Sequence, residues 1–306
     1  MPAARSTTPR RAALFPLALG ALLAATLAVP AAAYVRTRSP GDGKYPLLWT
    51  SPRITMTLHT SGAQVVPAAD FIGAARRSAA TWSSPDLSTS VAFTIDATND
   101  APAGAFYDQV NSISFRAEGW DPPKYPDSAL ALTTVWSQGG QIVEADTEIN
   151  AADARFQWGV LPDDPALAAM AAEVDLENAL THELGHVIGL AHPCTLGEPT
   201  KPEVDDQGAP VLSCSDPALP PAVRDATMFP SSEPGSIAER SLSPDEVKAL
   251  HDLYPLRAEP PPGLGDRGGG CGVAGGAGGS GGPGASGAAL ALIGAVLFAR
   301  RRRRAA

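Results

Sequence analysis

Residues 181–192 run "THELGHVIGLAH". Three of the chain's five histidines, His182, His186 and His192, fall within eleven residues. Glu183 follows the first, and Gly189 stands midway between the second and third. His182 and His186 lie four apart and therefore share one face of a helix, roughly opposite Leu184 and its companions Leu176, Leu180, Val187 and Ile188. Gly189 stands where helices commonly end in a left-handed residue, a conformation glycine adopts without strain. A turn there lets the chain double back and bring His192 to the same point as the other two imidazoles. Three neutral histidines with an open fourth position are the donor set of a catalytic zinc site rather than a closed structural one. Zinc lowers the pKa of its water to about 7, and a carboxylate beside it, Glu183, can take the proton.

Outward from this segment, apolar periodicity predicts the other elements. Ile54, Met56 and Leu58 alternate in "RITMTLHT" (53–60), which reads as a half-buried strand. Phe71, Ala75, Ala79 and Trp82 recur at helical spacing in 67–82, with Pro67 at the start and Asp70 in the first turn. "VAFTIDA" (91–97) and "NSISF" (111–115) read as two more strands. Residues 129–136 and 141–149 read as a further pair, joined across Gly139 and Gly140. A second helix is expected over about 166–190. A third is expected in "SPDEVKALHDLY" (243–254), capped by Ser243 with Pro244 at the first helical position and Glu246 closing a capping box. This order predicts an α/β layering with one mixed sheet.

Residues 182–192, H-E-L-G-H-V-I-G-L-A-H, resemble the metzincin zinc signature H-E-x-x-H-x-x-G-x-x-H. "DATMFP" (225–230), with Met228 two before Pro230, is similar to the methionine turn of matrixins. "GQIVEADTEIN" (140–150) and "LSPDEVKALHDLYP" (242–255) resemble the last strand and final helix of that family. The resemblance spans about residues 45–255. It implies a metzincin-like α/β fold: a mixed twisted sheet of about five strands, three main helices, and a zinc cleft between upper and lower subdomains. It implies one catalytic zinc on His182, His186 and His192, Glu183 as general base, Gly189 as the motif turn and Met228 as the structural methionine. The strand at 129–136 becomes the edge that pairs with an extended substrate. The implied activity is a zinc-dependent endopeptidase acting on protein or peptide, as a monomer. The alternative is a catalytically inactive zinc-binding adhesin or scaffold, for which Glu183 would have no use.

The departures from the family are specific. His192 and Met228 stand 36 positions apart, longer than matrixins use, and Pro193 follows the third histidine where astacins have Glu. No cysteine precedes the helix, so a cysteine switch is not supported. Only His59 and His251 remain for a second zinc, and none is expected. Calcium at Glu144, Asp146 and Asp153 is weighed against a plain solvated face.

The ends differ from the middle. Residues 1–33 carry Arg5, Arg10 and Arg11, an apolar run and an A-x-A site, the plan of a secretory signal peptide. Residues 34–258 form the expected protease domain. Residues 259–287 are a Gly/Pro-rich linker whose composition cannot bury enough surface to order itself. Residues 288–306 pair a short apolar segment with five arginines. This tail resembles the MYXO-CTERM sorting tails of certain Gram-negative bacteria. The resemblance implies export to the cell surface or outer membrane, with a membrane or sorting enzyme as the tail's partner. Cys194 and Cys214 are placed to close a disulfide loop. Cys271, left over in the linker, is the candidate processing or lipidation site. The chain's net charge is −9. Eight of its arginines lie in residues 1–33 and 272–306, which hold no acids, so the part between them carries −17. An acidic domain repels nucleic acid and anionic membrane, and both are discounted as partners of the folded part.

Overall fold

The computed structural model describes residues 34–40, 43–62, 65–100, 104–122, 124–197, 203–256 and 289–298, the last as backbone pairing. The expected signal peptide, the linker and the arginine cluster lie outside the described residues. The fold is mixed α/β. In chain order the elements begin with β1 (Val35–Arg36), β2 (Arg53–His59), α1 (Ala68–Trp82), β3 (Ala92–Thr98) and β4 (Ser112–Arg116). A long hairpin follows, β5 (Ala129–Gln138) and β6 (Gln141–Asn150), then β7 (Trp158–Gly159), α2 (Pro165–Ala168), β8 (Val174–Asp175) and α3 (Leu176–Val187). The chain continues with β9 (Leu190–Ala191), α4 (Pro221–Arg224), β10 (Ser231–Ser232), α5 (Pro244–Leu253) and β11 (Ala289–Phe298).

Five strands, β5-β6-β4-β2-β3, form the body of a seven-stranded sheet that β11 and β10 extend beyond β5. The β6–β4, β4–β2 and β2–β3 pairings are parallel, and β5 runs antiparallel to β6. The alternation read from sequence is seen in β2, where Ile54, Met56 and Leu58 are buried; in β4 Ile113 and Phe115 are buried, but so are Ser112 and Ser114. The turn between β5 and β6 places Gly139 and Gly140 at φ 59° and 88°. Two successive positive φ values match the twist of a two-residue hairpin, which glycine supplies at no steric cost. α1 lies against α3 and the sheet: Phe71 meets Phe115 with ring centroids 4.8 Å apart, and Trp82 is fully buried. The Trp82 indole N–H donates to the Thr181 carbonyl at 2.8 Å, and the Ser78 hydroxyl donates to the Glu177 carbonyl at 3.0 Å. Two side chains of α1 thus fix the height and rotation of α3.

The helix expected over 166–190 is two helices. α2 is one turn, and residues 174–175 leave it as β8, pairing in parallel with β7. The restart at α3 has a local cause: the Asp175 side chain caps it by accepting from the Asn178 N–H at 2.8 Å. Arg240 grips the same carboxylate through Nε and an Nη, both at 2.7 Å, and the Asp175 side chain is fully buried. α3 is also buried on every face, histidines included, so its two sides are a leucine side and a histidine side, neither open to solvent. α5 carries the expected capping box of Ser243 and Glu246.

Within the short apolar segment near the C-terminus, residues 289–298 form a strand. Residues 289–298 pair antiparallel with β5, and β10 pairs in parallel with their far side. An edge strand presents a row of unpaired backbone groups that a β-rich segment can satisfy. Ten residues fall well short of the roughly twenty a spanning helix needs. No helix among the described residues is long and apolar enough to cross a membrane.

Candidate metal centre

His182 and His186 project from one face of α3, one turn apart, and are buried; His192 is partly exposed. The helix ends at Gly189, which sits at φ 91° with its N–H on the His186 carbonyl at 2.9 Å. A Cβ there would come within 2.7 Å of the Leu47 carbonyl oxygen, so space as well as conformation restricts the position to glycine. Beyond the turn, β9 pairs antiparallel with β1, which carries His192 back over the helix. The turn and the return of the third histidine were legible in the motif; the pairing of β9 with β1 was not.

Nitrogen geometry defines what the three rings can do. Nε2 of His182 stands 3.1 Å from Nε2 of His186 and 3.3 Å from Nε2 of His192. Two of the other ring nitrogens are used. Nδ1 of His182 is 2.8 Å from the Thr227 carbonyl oxygen, and Nδ1 of His186 is 2.8 Å from the Leu190 carbonyl oxygen. A carbonyl only accepts, so both Nδ1 atoms carry the proton, and in a neutral ring Nε2 is then a lone pair. Burial holds His182 and His192 well below the usual histidine range and His186 down at about 4, with the neighbouring imidazoles adding to the effect for His182 and His192. Lone pairs facing one another at these distances repel unless a cation sits among them. Donor nitrogens around a tetrahedral metal at about 2.0–2.1 Å stand about 3.3 Å apart, which the observed spacing fits. The three histidines are close enough to hold a metal ion.

Beneath them, Gly185 explains how the helix packs. A Cβ on Gly185 would stand 2.9 Å from Cζ2 of Trp82 and closer still to Sδ of Met228. Met228 is buried and belongs to a tight turn closed by the Phe229 N–H on the Ala226 carbonyl at 3.0 Å. Its own N–H donates to Glu246 Oε1 at 3.1 Å, while Glu246 Oε2 accepts the Ser243 N–H. The capping residue of α5 therefore also holds the turn whose Thr227 carbonyl orients His182.

Glu183 is fully buried, and its Oε2 accepts from the Thr133 hydroxyl at 2.5 Å. Thr133 lies on β5, fifty residues upstream, and touches Thr147 Oγ1 of β6 at 2.9 Å. Sequence reading missed Thr133; the only signal was a Thr-Thr pair inside an otherwise apolar strand. It also missed Gly185, which looks like an ordinary helical residue until Met228 and Trp82 are seen against it. Cys194 and Cys214 form a disulfide, two residues beyond His192. Cys194 is buried with Leu219 and Val223, and Phe229 packs on that cluster, so the bridge ties the loop after His192 to the Met228 turn.

The acidic residues weighed for calcium are occupied otherwise. Glu144 accepts the N–H groups of Asp108 and Gln109, Asp146 accepts those of Phe106 and Ser112, and Asp153 pairs with Arg155. Among the described residues the histidine trio is the one group of three or more potential ligands brought together. Nδ1 of His59 contacts the Asp100 carbonyl and Nε2 of His251 that of Leu87, each apart from the site. Cys271 lies outside the described residues. Compared with known proteins, the chain matches no family model and no curated relative.

Proposed function

We propose that the chain is an exported zinc-dependent endopeptidase of matrixin-like, metzincin type. The observation that carries this reading is the convergence of three Nε2 lone pairs, two of them fixed by carbonyls at Nδ1, beside a glutamate held from the edge strand. His182, His186 and His192 would hold the zinc, which when bound would supply Lewis-acid polarisation of the scissile carbonyl and lower the pKa of a water to about 7. Glu183 takes that proton and returns it to the leaving amine. The Thr133 hydroxyl donates to Glu183 Oε2 and keeps the carboxylate turned toward β5. When the side of β5 that residues 289–298 cover is free, its backbone groups can pair with an extended peptide and align it beside the base that acts on it.

Support for export comes from the signal-like residues 1–33, the sorting-like tail and a disulfide that an oxidising compartment permits. The test is a peptide library incubated with the full chain, zinc-loaded and chelator-treated. The proposal expects internal cleavage that the chelator abolishes. A zinc-loaded protein that cuts no peptide would leave a metal-binding scaffold in its place.

A further inference from the structure

The edge of β5 is already taken. Residues 289–298 run antiparallel along it, with Ala289 opposite Ser137, Ile293 opposite Thr133 and Leu297 opposite Ala129. Their other side is held by β10, with Ser231 opposite Leu297 and Ser232 opposite Phe298. β10 begins three residues after Met228, so the strand is clamped between the sheet edge and the chain leaving the turn under the histidines. Its centre meets β5 at Thr133, whose hydroxyl holds Glu183. The register skips one residue there, Gly294, between Ile293 and Ala295.

A sheet edge pairs with one strand at a time. We infer that residues 289–298 are an intramolecular ligand of the metal cleft: the chain's own tail occupies the edge an extended substrate needs and keeps the site closed until it is displaced or cut away. The inference rests on the peptidase reading for its effect on activity, but not for the pairing itself. Thirty-five residues, 254–288, separate α5 from the strand. At about 3.3 Å per extended residue they can span some 100 Å, so the connection places no strain on this position. A tether of that length gives an effective concentration on the order of millimolar, against which a free peptide must compete. Cutting anywhere in 257–288 removes that advantage, so removal of a sorting tail would also open the cleft.

The test uses the full chain and a full-chain variant carrying Leu292→Pro and Ile293→Pro. Adjacent residues of a strand point their N–H groups to opposite neighbours, so one of the two prolines removes a donor facing β5. Amide hydrogen exchange over residues 130–137 should be slow in the native chain and at least about tenfold faster in the variant. The KM for an extended peptide should fall about tenfold, with kcat within about twofold, because only competition is relieved. Equal exchange over 130–137 in the two proteins would overturn the inference. Faster exchange in the variant, with no cleavage by either protein, would uphold the tail's pairing and remove the peptidase assignment.

Discussion

Gly185 shows how closely the histidine helix is fitted. Met228 can swing aside from an added methyl group, but the buried Trp82 ring cannot. Gly185→Ala is expected to cost about 1–3 kcal/mol by overpacking. A denaturant titration of the metal-free protein measures this, and a Gly185→Ala protein as stable as the native chain would mean that the Trp82 ring gives way. Thr133 acts by position rather than by chemistry. Thr133→Val should leave zinc stoichiometry unchanged and lower kcat by roughly 10- to 100-fold, the usual cost of removing a group that orients the reacting one. Thr133→Ser keeps the hydroxyl and should restore most of the rate. A Val variant as fast as native would remove Thr133 from the mechanism.

At the scale of elements, α3 depends on its first residue contacts as much as on its core face. Asp175 caps the helix, accepts the Leu161 N–H and is held by Arg240, all at a fully buried carboxylate. Arg240→Met strands that charge, and removing one partner of a buried pair costs about 3–5 kcal/mol. Equilibrium unfolding of the variant checks it. A loss under 1 kcal/mol would mean that the carboxylate is satisfied without Arg240. The same helix marks what was legible beforehand. Its histidine spacing, the Gly189 turn and the Gly139–Gly140 hairpin are local signals, and each is present as expected. The break before α3 was also written locally, as Asp175 with Glu177 in the first turn, but the apolar period running through 166–190 masked it. Thr133 and Trp82 were not legible as site residues, because their contacts depend on sheet register and helix docking across about fifty and one hundred residues. Strand 289–298 was illegible for a related reason: composition gave its apolarity but not the unpaired edge that receives it.

For the whole molecule, buried acids make stability depend on pH. Asp245 is pushed up to about 7, chiefly by burial and then by Glu246 and Asp206, with Lys248 opposing. Its folded value lies above the ordinary carboxylate value of about 3.9, so the native state binds its proton more tightly. That contribution is full below about pH 4 and is lost as pH rises to about 7. The three histidines, held low by burial, act in the opposite sense, so the useful quantity is a difference between proteins. The Tm of Asp245→Asn minus that of the native chain, both metal-free, should increase from pH 4 to pH 7 and then level off. A difference that stays flat over that range would contradict the buried, protonated state of Asp245.

If Glu183 moves protons beside a metal it does not bind, zinc content and peptide turnover measured together on Glu183→Gln separate the two roles. The variant is expected to hold about one equivalent of zinc, as three histidine ligands require, with turnover lowered by at least about a hundredfold, the range in which general-base catalysis contributes. A zinc-loaded Glu183→Gln protein that turns over peptide at near the native rate would contradict it.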